Sequence, residues 1–271
     1  MALSLPQDLR YFYYSLRAFN SEIAGIKDSC RGNVVAGDMR LRWWEDVLSK
    51  IDDENHNFTT FKHPVADSLY LSCRGLGLSA DMLYRSLDSR RKNLSTTRPK
   101  SMDDIEEYAE RAYSSLNYMM LQAVGINDEE VNNMASHFGV SAGLTLLIMS
   151  IPFHENEIYI PEETAQKFNL TTNMARGVFS SEEDKKKFCD TIFDLSSQSF
   201  GHFEKGREIF NAKKHKYPNL RYIAATVVPS MTYLEEFRVR DFNIYAINPQ
   251  EPKLKYQMQW TLAKLKMFNK L

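Results

Sequence analysis

Six histidines and one dense basic run are the residues through which this 271-residue chain could do chemistry. His56, His63, His137, His154, His202 and His215 contain no H-x-x-x-H pair, the spacing that sets two imidazoles on one helix face around zinc. His154, Glu155 and Glu157 are near enough in sequence to share an ion. A hard cation wants several preorganised oxygens, however, and two carboxylates are too few, so a solvated loop is the better reading. The segment DSRRKN supplies Arg90, Arg91 and Lys92, with Arg98 and Lys100 just beyond. Such a cluster can meet a diphosphate or an anionic headgroup, or it can be an ordinary charged helix end. No Gly-rich phosphate loop is present. Cys30, Cys73 and Cys189 are odd in number and widely spaced, without a C-x-x-C pair, which fits reduced thiols in a cytosolic or matrix compartment.

The elements that must position these residues are helical. From Met39 the apolar residues fall at Met39, Trp43, Trp44, Val47, Leu48 and Ile51, a stripe with one buried face that places both tryptophans in the core. Arg42 then pairs with Glu45 or Asp46 on the wet side. Ser101 with Asp104 reads as a capping box, and Ile105, Tyr108, Ala112, Leu116 and Met119 continue a stripe until Gly125 stops it. The next helix spans Glu129 to Ile151 and ends at Pro152. Its apolar run from Phe138 to Phe153 is about sixteen residues, short of the roughly twenty that cross a bilayer, so a buried core helix is expected. Ser181 with Asp184 starts another helix that runs to Asn211. Alternating β patterns are short and rare, so the expected architecture is all-α with roughly nine to eleven helices.

The last segment, PKLKYQMQWTLAKLKMFNKL, places Leu254, Met258, Leu262 and Leu265 on one helical face, with Trp260 and Phe268 near its edges and five lysines around it. Such a helix closes a bundle or lies on a membrane surface. Thirty-four Lys and Arg against thirty-five Asp and Glu leave a charge of -1, so no global field draws the chain to nucleic acid or to an anionic surface, and only a local patch could do so. With 43% hydrophobic residues and no low-complexity linker, residues 1–271 read as a single domain. The first residues are too short and too poor in Arg for a mitochondrial presequence, so an imported protein would carry one outside this sequence.

The blocks SLRAFNSEIAGIKDS, MRLRWWEDVL, EEYAERAYSSLNYMMLQAVG, ASHFGVSAGLTLLIMSIPFHENEIYIP and FDLSSQSFGHFEKGREIF, in that order, resemble the squalene/phytoene synthase superfamily over residues 8 to 245. That resemblance implies an isoprenoid-synthase-like helical bundle with a central cavity. The enzymes of the family join two prenyl diphosphates head to head, and Mg²⁺ ions held by D-x-x-x-D and D-x-x-E-D motifs neutralise the leaving diphosphate. Carried over, the first motif falls on AGIKD, leaving Ala24 and Asp28. The second falls on Ile148, Ile151 and Pro152, and a further acidic position falls on Asn93. The resemblance therefore implies no catalytic residue, no metal and no cofactor. It also explains why the helix ending near Pro152 is so apolar, since the carboxylates of that wall are replaced by aliphatic groups.

The phrases RAFNSEIAGIKDS, ASHFG, IPFH and FDLSSQ are most similar to the mitochondrial branch of the family, the complex I assembly factors. That branch implies a non-catalytic protein on the matrix side of the inner membrane, acting early in building NADH:ubiquinone oxidoreductase, in the biogenesis of its mitochondrially encoded membrane subunit one. The partners implied are complex I subunits or other assembly factors, with peripheral membrane contact and no nucleic acid. The competing expectation is a prenyl-diphosphate or lipid binder, or a divergent prenyltransferase, whose headgroup meets Arg40, Arg42, Arg90, Arg91, Lys92 and Tyr108.

Overall fold

The computed structural model describes residues 5–154 and 159–271, and among them the chain is helical, without a strand. The helices are α1 (Gln7–Ala24), α2 (Ile26–Ser29), α3 (Val34–Asp52), α4 (Pro64–Leu76), α5 (Asp81–Asn93), α6 (Met102–Ala109) and α7 (Ser115–Ala123). They continue as α8 (Glu129–Ser150), α9 (Glu162–Lys167), α10 (Thr172–Ala175), α11 (Glu182–Lys213), α12 (Leu220–Ala224), α13 (Val228–Val239) and α14 (Pro252–Phe268). These fourteen exceed the nine to eleven expected for a simple reason. Helices of one turn or slightly more, such as α2, α10 and α12, hold too few residues to show a period. A π-helical turn, Glu110–Ser114, also splits what reads as one helix into α6 and α7.

The helix ends follow local chemistry. The Asp104 backbone N–H donates to Ser101 Oγ at 3.2 Å, and the Ser101 N–H donates to the Asp104 carboxylate at 3.0 Å. The Ser101 N–H and the Lys100 N–H, which donate to the Asp104 carboxylate, lower its pKa. Gly125, at φ +69°, supplies the left-handed residue after α7. Ser181 caps α11 through the Asp184 N–H at 3.1 Å. Asp128 caps α8, and Pro152 sits in a 3₁₀ turn, Ile151–Phe153, that ends it.

Two apolar clusters hold the helices together. One gathers Phe12 and Phe19 of α1, Trp44 and Leu48 of α3, Leu69 of α4 and Phe138 of α8. The other gathers Leu144 and Ile148 of α8, Phe188 and Ile192 of α11 and Phe237 of α13. Each such side chain contributes roughly 1.5–3 kcal/mol when fully buried. The helix α8 serves both clusters, which requires apolar residues on nearly all its sides. By length and composition Glu129–Phe153 would cross a membrane, yet 72% of its apolar window is buried, so it is the core helix that was expected.

Three expectations change in α3 and α14. Met39 and Trp43 are exposed, Trp43 by 37%, because Leu41, Trp44, Leu48 and Ile51 set the inward arc. Trp43 lies edge-on against Trp44 with ring centroids 5.0 Å apart. Arg42 pairs with Asp38 at 2.8 Å, since Glu45 is held by Arg91 and Asp46 by Lys50. In α14, Leu254 and Leu265 are buried and Met258 and Leu262 pack partly against the core. The leucine face therefore closes the bundle, and Trp260 stands away from it.

Along the α8–α11 seam, Ser199 Oγ donates to the Ser141 carbonyl at 2.9 Å, and His137 Nδ1 lies 3.0 Å from His202 Nδ1. One imidazole must donate and the other accept, so the accepting ring must be neutral and the pair cannot survive protonation of both. Burial lowers both pKa values; His202 and Lys205 lower that of His137 further, Lys205 does so for His202, and Glu110 opposes. With folded pKa values below the ordinary 6.5, the contribution is complete above that pH and is lost as pH falls through the depressed values. The melting temperature is expected to fall between about pH 7 and about pH 5.5. His202→Gln should flatten that dependence in thermal melts, and an unaltered slope would exclude the pair as its source.

Candidate functional site

A cavity of 170 Å³ opens between the C-terminal end of α1, the short α2, the last turn of α5, the α6–π segment and the C-terminal end of α8. It adjoins an outer cavity of 520 Å³, with Asn93, Tyr108, Leu147 and Tyr159 lining both. Of the residues assigned to the first motif, Ala24 and Asp28 both line the inner cavity, and Asn93 faces them from α5.

The α8 wall is different from the one expected. Leu146, Leu147, Ser150 and His154 line the cavity, whereas Ile148 and Ile151 are buried in the second apolar cluster and Pro152 lies in the 3₁₀ turn. Positions 146 and 150 share a face at the helical spacing of four and 148 is rotated away from it, while His154 reaches the cavity from beyond the 3₁₀ turn. Counting back from IYIP crosses the 3₁₀ turn, whose three residues per turn shift the register. Glu155 and Glu157 lie outside the described residues. Among the described residues this wall carries no carboxylate, and Asp28 is the inner cavity's one acid.

Arg90 dominates the electrostatics. Only 8% exposed, it donates through Nη1 to Tyr108 Oη and through Nη2 to Asn20 Oδ1 at 3.3 Å. Its guanidinium sits 5.3 Å from the Tyr108 ring centroid and 5.4 Å from that of Tyr113. Nε has no partner, and no carboxylate pairs with this cation among the described residues. Burial is the largest influence and opposes the charge, but Tyr108, Tyr113 and Tyr159 outweigh it and leave the pKa raised. Ring faces and phenol oxygens thus replace the acid that a buried cation ordinarily requires.

The other basic candidates separate from Arg90. Arg91 bridges Asp38 at 2.8 Å and Glu45 at 2.7 Å, tying α5 to α3. Lys92 lines the outer cavity, 3.7 Å from Asp88 and 3.8 Å from Glu107. Arg40 donates to Ser29 Oγ at 2.7 Å and lines a separate groove beside Trp43, Trp44 and His63. Arg42 is spent on Asp38. Tyr108 is therefore the one companion of Arg90, among the expected headgroup contacts, that lines the inner cavity.

Asn20, Tyr113 and Ser150 belong to the site without having been expected there. Tyr113 follows Tyr108 by five residues, a spacing that points away from a common face in an α-helix. The π turn at Glu110–Ser114 brings both rings to Arg90. Chemically, the inner cavity offers the buried Arg90 guanidinium, the Lys27 ammonium, phenols, an amide, the Ser150 hydroxyl, the His154 imidazole and one exposed carboxylate. No group of three His, Cys, Asp or Glu converges on a metal position among the described residues.

Residues 1–263 match the family model for squalene/phytoene synthase. The chain is 28% identical over 250 residues to the Homo sapiens protein named NADH dehydrogenase (ubiquinone) complex I, assembly factor 6, covering 90% of this chain and 70% of that one. It is 28% identical over 243 residues to the Drosophila melanogaster homolog of that factor, covering 89% and 71%. A squalene synthase from Alicyclobacillus acidocaldarius superposes with TM-score 0.65 at 15% identity, over 89% of this chain and 98% of that one. A dehydrosqualene synthase in complex with ligand superposes with TM-score 0.76 at 18% identity, over 99% and 89%. These two likenesses give the isoprenoid synthase bundle expected from the residues. With the family model matched from end to end of the helical core, this chain belongs to the squalene/phytoene synthase family.

Proposed function

We propose that this protein is a non-catalytic complex I assembly factor that keeps the synthase bundle as a scaffold. It acts on the matrix side of the mitochondrial inner membrane, early in assembly, in the biogenesis of the mitochondrially encoded membrane subunit one. Its partners are complex I subunits or other assembly factors, and residues 1–271 work as one unit. The names of the similar proteins support the assembly role.

One observation carries the non-catalytic reading: a buried, acid-free Arg90 lies in a cavity whose described walls offer the single carboxylate of Asp28. Divalent ions around a diphosphate need oxygen ligands from facing helices, and a fixed guanidinium in their place repels them. The residues present do not fit the Mg²⁺ clamp of the enzymes, and the leucines of α8 cannot substitute for it. Deleting the protein is expected to abolish assembled complex I on native gels, and Asp28→Asn should restore it to the wild-type level. The purified chain should not turn over farnesyl or geranylgeranyl diphosphate with Mg²⁺. Normal complex I after deletion would end the assembly reading. An inactive Asp28→Asn variant that is correctly folded would end the non-catalytic one.

A second reading, a carrier of a prenyl diphosphate or another anionic lipid, is favoured by the unpartnered Arg90 Nε. Native mass spectrometry after gentle purification decides it: a bound anionic lipid lost in Arg90→Met supports a carrier, and a bare wild-type chain removes it.

A further inference from the structure

The two sides of α14 are both apolar, and only one is used. Leu254, Met258, Leu262 and Leu265 lie within about 80° of one another around the helix axis and face the protein. Leu254 belongs to the second apolar cluster and Leu265 to the first, so the helix is clamped at two points and cannot roll. On the opposite side Tyr256, Trp260 and Met267 fall within about 40° of one another. These three and Phe268 are between 59% and 70% exposed.

The charges around that outer stripe have one sign. Lys253 and Lys264 flank it on one side, and Lys255 and Lys266 lie on the other. Residues 252–271 contain no Asp or Glu. Lys253 is 3.6 Å from Glu236, but Lys264, Lys266 and Lys270 make no ion pair among the described residues. The Lys264 ammonium lies 5.5 Å from the Trp260 ring centroid, so the cation and the aromatic are presented together. Arg221 adds a further cation beside Lys266.

We propose that this outward face of α14 docks on an anionic lipid bilayer. Tyr256, Trp260 and Met267 enter the boundary between headgroups and acyl chains, where amphipathic rings are most stable, and the lysines reach up to the phosphates along their apolar stems. The lysines also distinguish a bilayer from a protein partner, because protein interfaces enrich Arg and deplete Lys, whereas clustered Lys beside an apolar helix face is what an anionic leaflet attracts. The face that docks is the reverse of the leucine face, which the bundle already occupies. The proposal does not depend on the assembly role.

Flotation of the purified full chain with vesicles tests it, using phosphatidylcholine alone and phosphatidylcholine mixed with phosphatidylglycerol. The chain should float with the mixed vesicles and remain behind with the neutral ones, and added salt should weaken the binding. Lys264→Gln with Lys266→Gln should lower partitioning about thirtyfold. Trp260→Ser should lower it as well, and both variants should melt with the wild type because the replaced side chains are exposed. Failure of the wild type to float with the anionic vesicles overturns the proposal, as does undiminished binding by both variants. Loss in the lysine variant alone would reduce the contact to diffuse electrostatics and overturn insertion. None of these outcomes touches complex I on native gels, so a negative result leaves the assembly reading in place.

Discussion

Gly139→Ala is expected to destabilise the protein by about 3 kcal/mol or more, at the upper end of overpacking costs. A methyl group there would lie 2.2 Å from Ser114 Oγ, 2.4 Å from its Cα and 2.6 Å from its amide nitrogen. Two of those atoms are backbone, so no rotamer change relieves the clash. Ser114 is also tied to α8 by its hydroxyl, which donates to the Ser136 carbonyl at 3.0 Å. The π turn would have to move, and it carries Tyr113, one of the two rings that cover Arg90. The loss should therefore appear twice, as a melting temperature lower by roughly 6–12 °C and as a less protected site. Gly201→Ala is the control. Among the described residues nothing lies within 4 Å of its added methyl, and a helical glycine replaced by alanine should stabilise by roughly 0.5–1 kcal/mol. Equal melting of Gly139→Ala and wild type would mean that the π turn does not abut α8 as described.

How far the residues announce this arrangement depends on how local the physics is. The caps at Ser101 and Ser181 and the end of α8 at Pro152 involve neighbours within a turn, and they were legible. The family blocks likewise carried the fold, and the match over residues 1–263 agrees with them. The basic run shows where such reading stops. Arg90, Arg91 and Lys92 are three equal charges on paper, but a helix turns about 100° per residue. Arg90 consequently enters the cavity, Arg91 crosses to α3 and Lys92 opens onto the outer pocket. Which of the three points inward depends on α5 meeting α3 and α6, and no local pattern contains that. The α8 wall and Tyr113 failed for a related reason. Both lie across a change of helical pitch, a 3₁₀ turn in one case and a π turn in the other, and a 3.6-residue period cannot be carried through either.

Phe138→Ala tests the seam that sets the direction of α8, and hence which of its residues face the cavity. The ring is fully buried, and a methyl on Gly206 of α11 would lie 2.6 Å from its Cδ1. Phe203 of the same helix lies 6.4 Å away, centroid to centroid. Removing the ring should cost about 3–5 kcal/mol, since the transfer of a buried phenyl is lost and a void is left between the two longest helices of the bundle. Gly206→Ala alone should also destabilise, because its methyl meets that same ring. The two changes together are then expected to be milder than their sum by about 1 kcal/mol, the alanine methyl occupying part of the space the ring vacates. Urea titration of the four proteins gives the coupling directly. Strict additivity would show that the two groups do not meet, and the assignment of Leu146, Leu147 and Ser150 to the cavity wall would lose the packing that orients it.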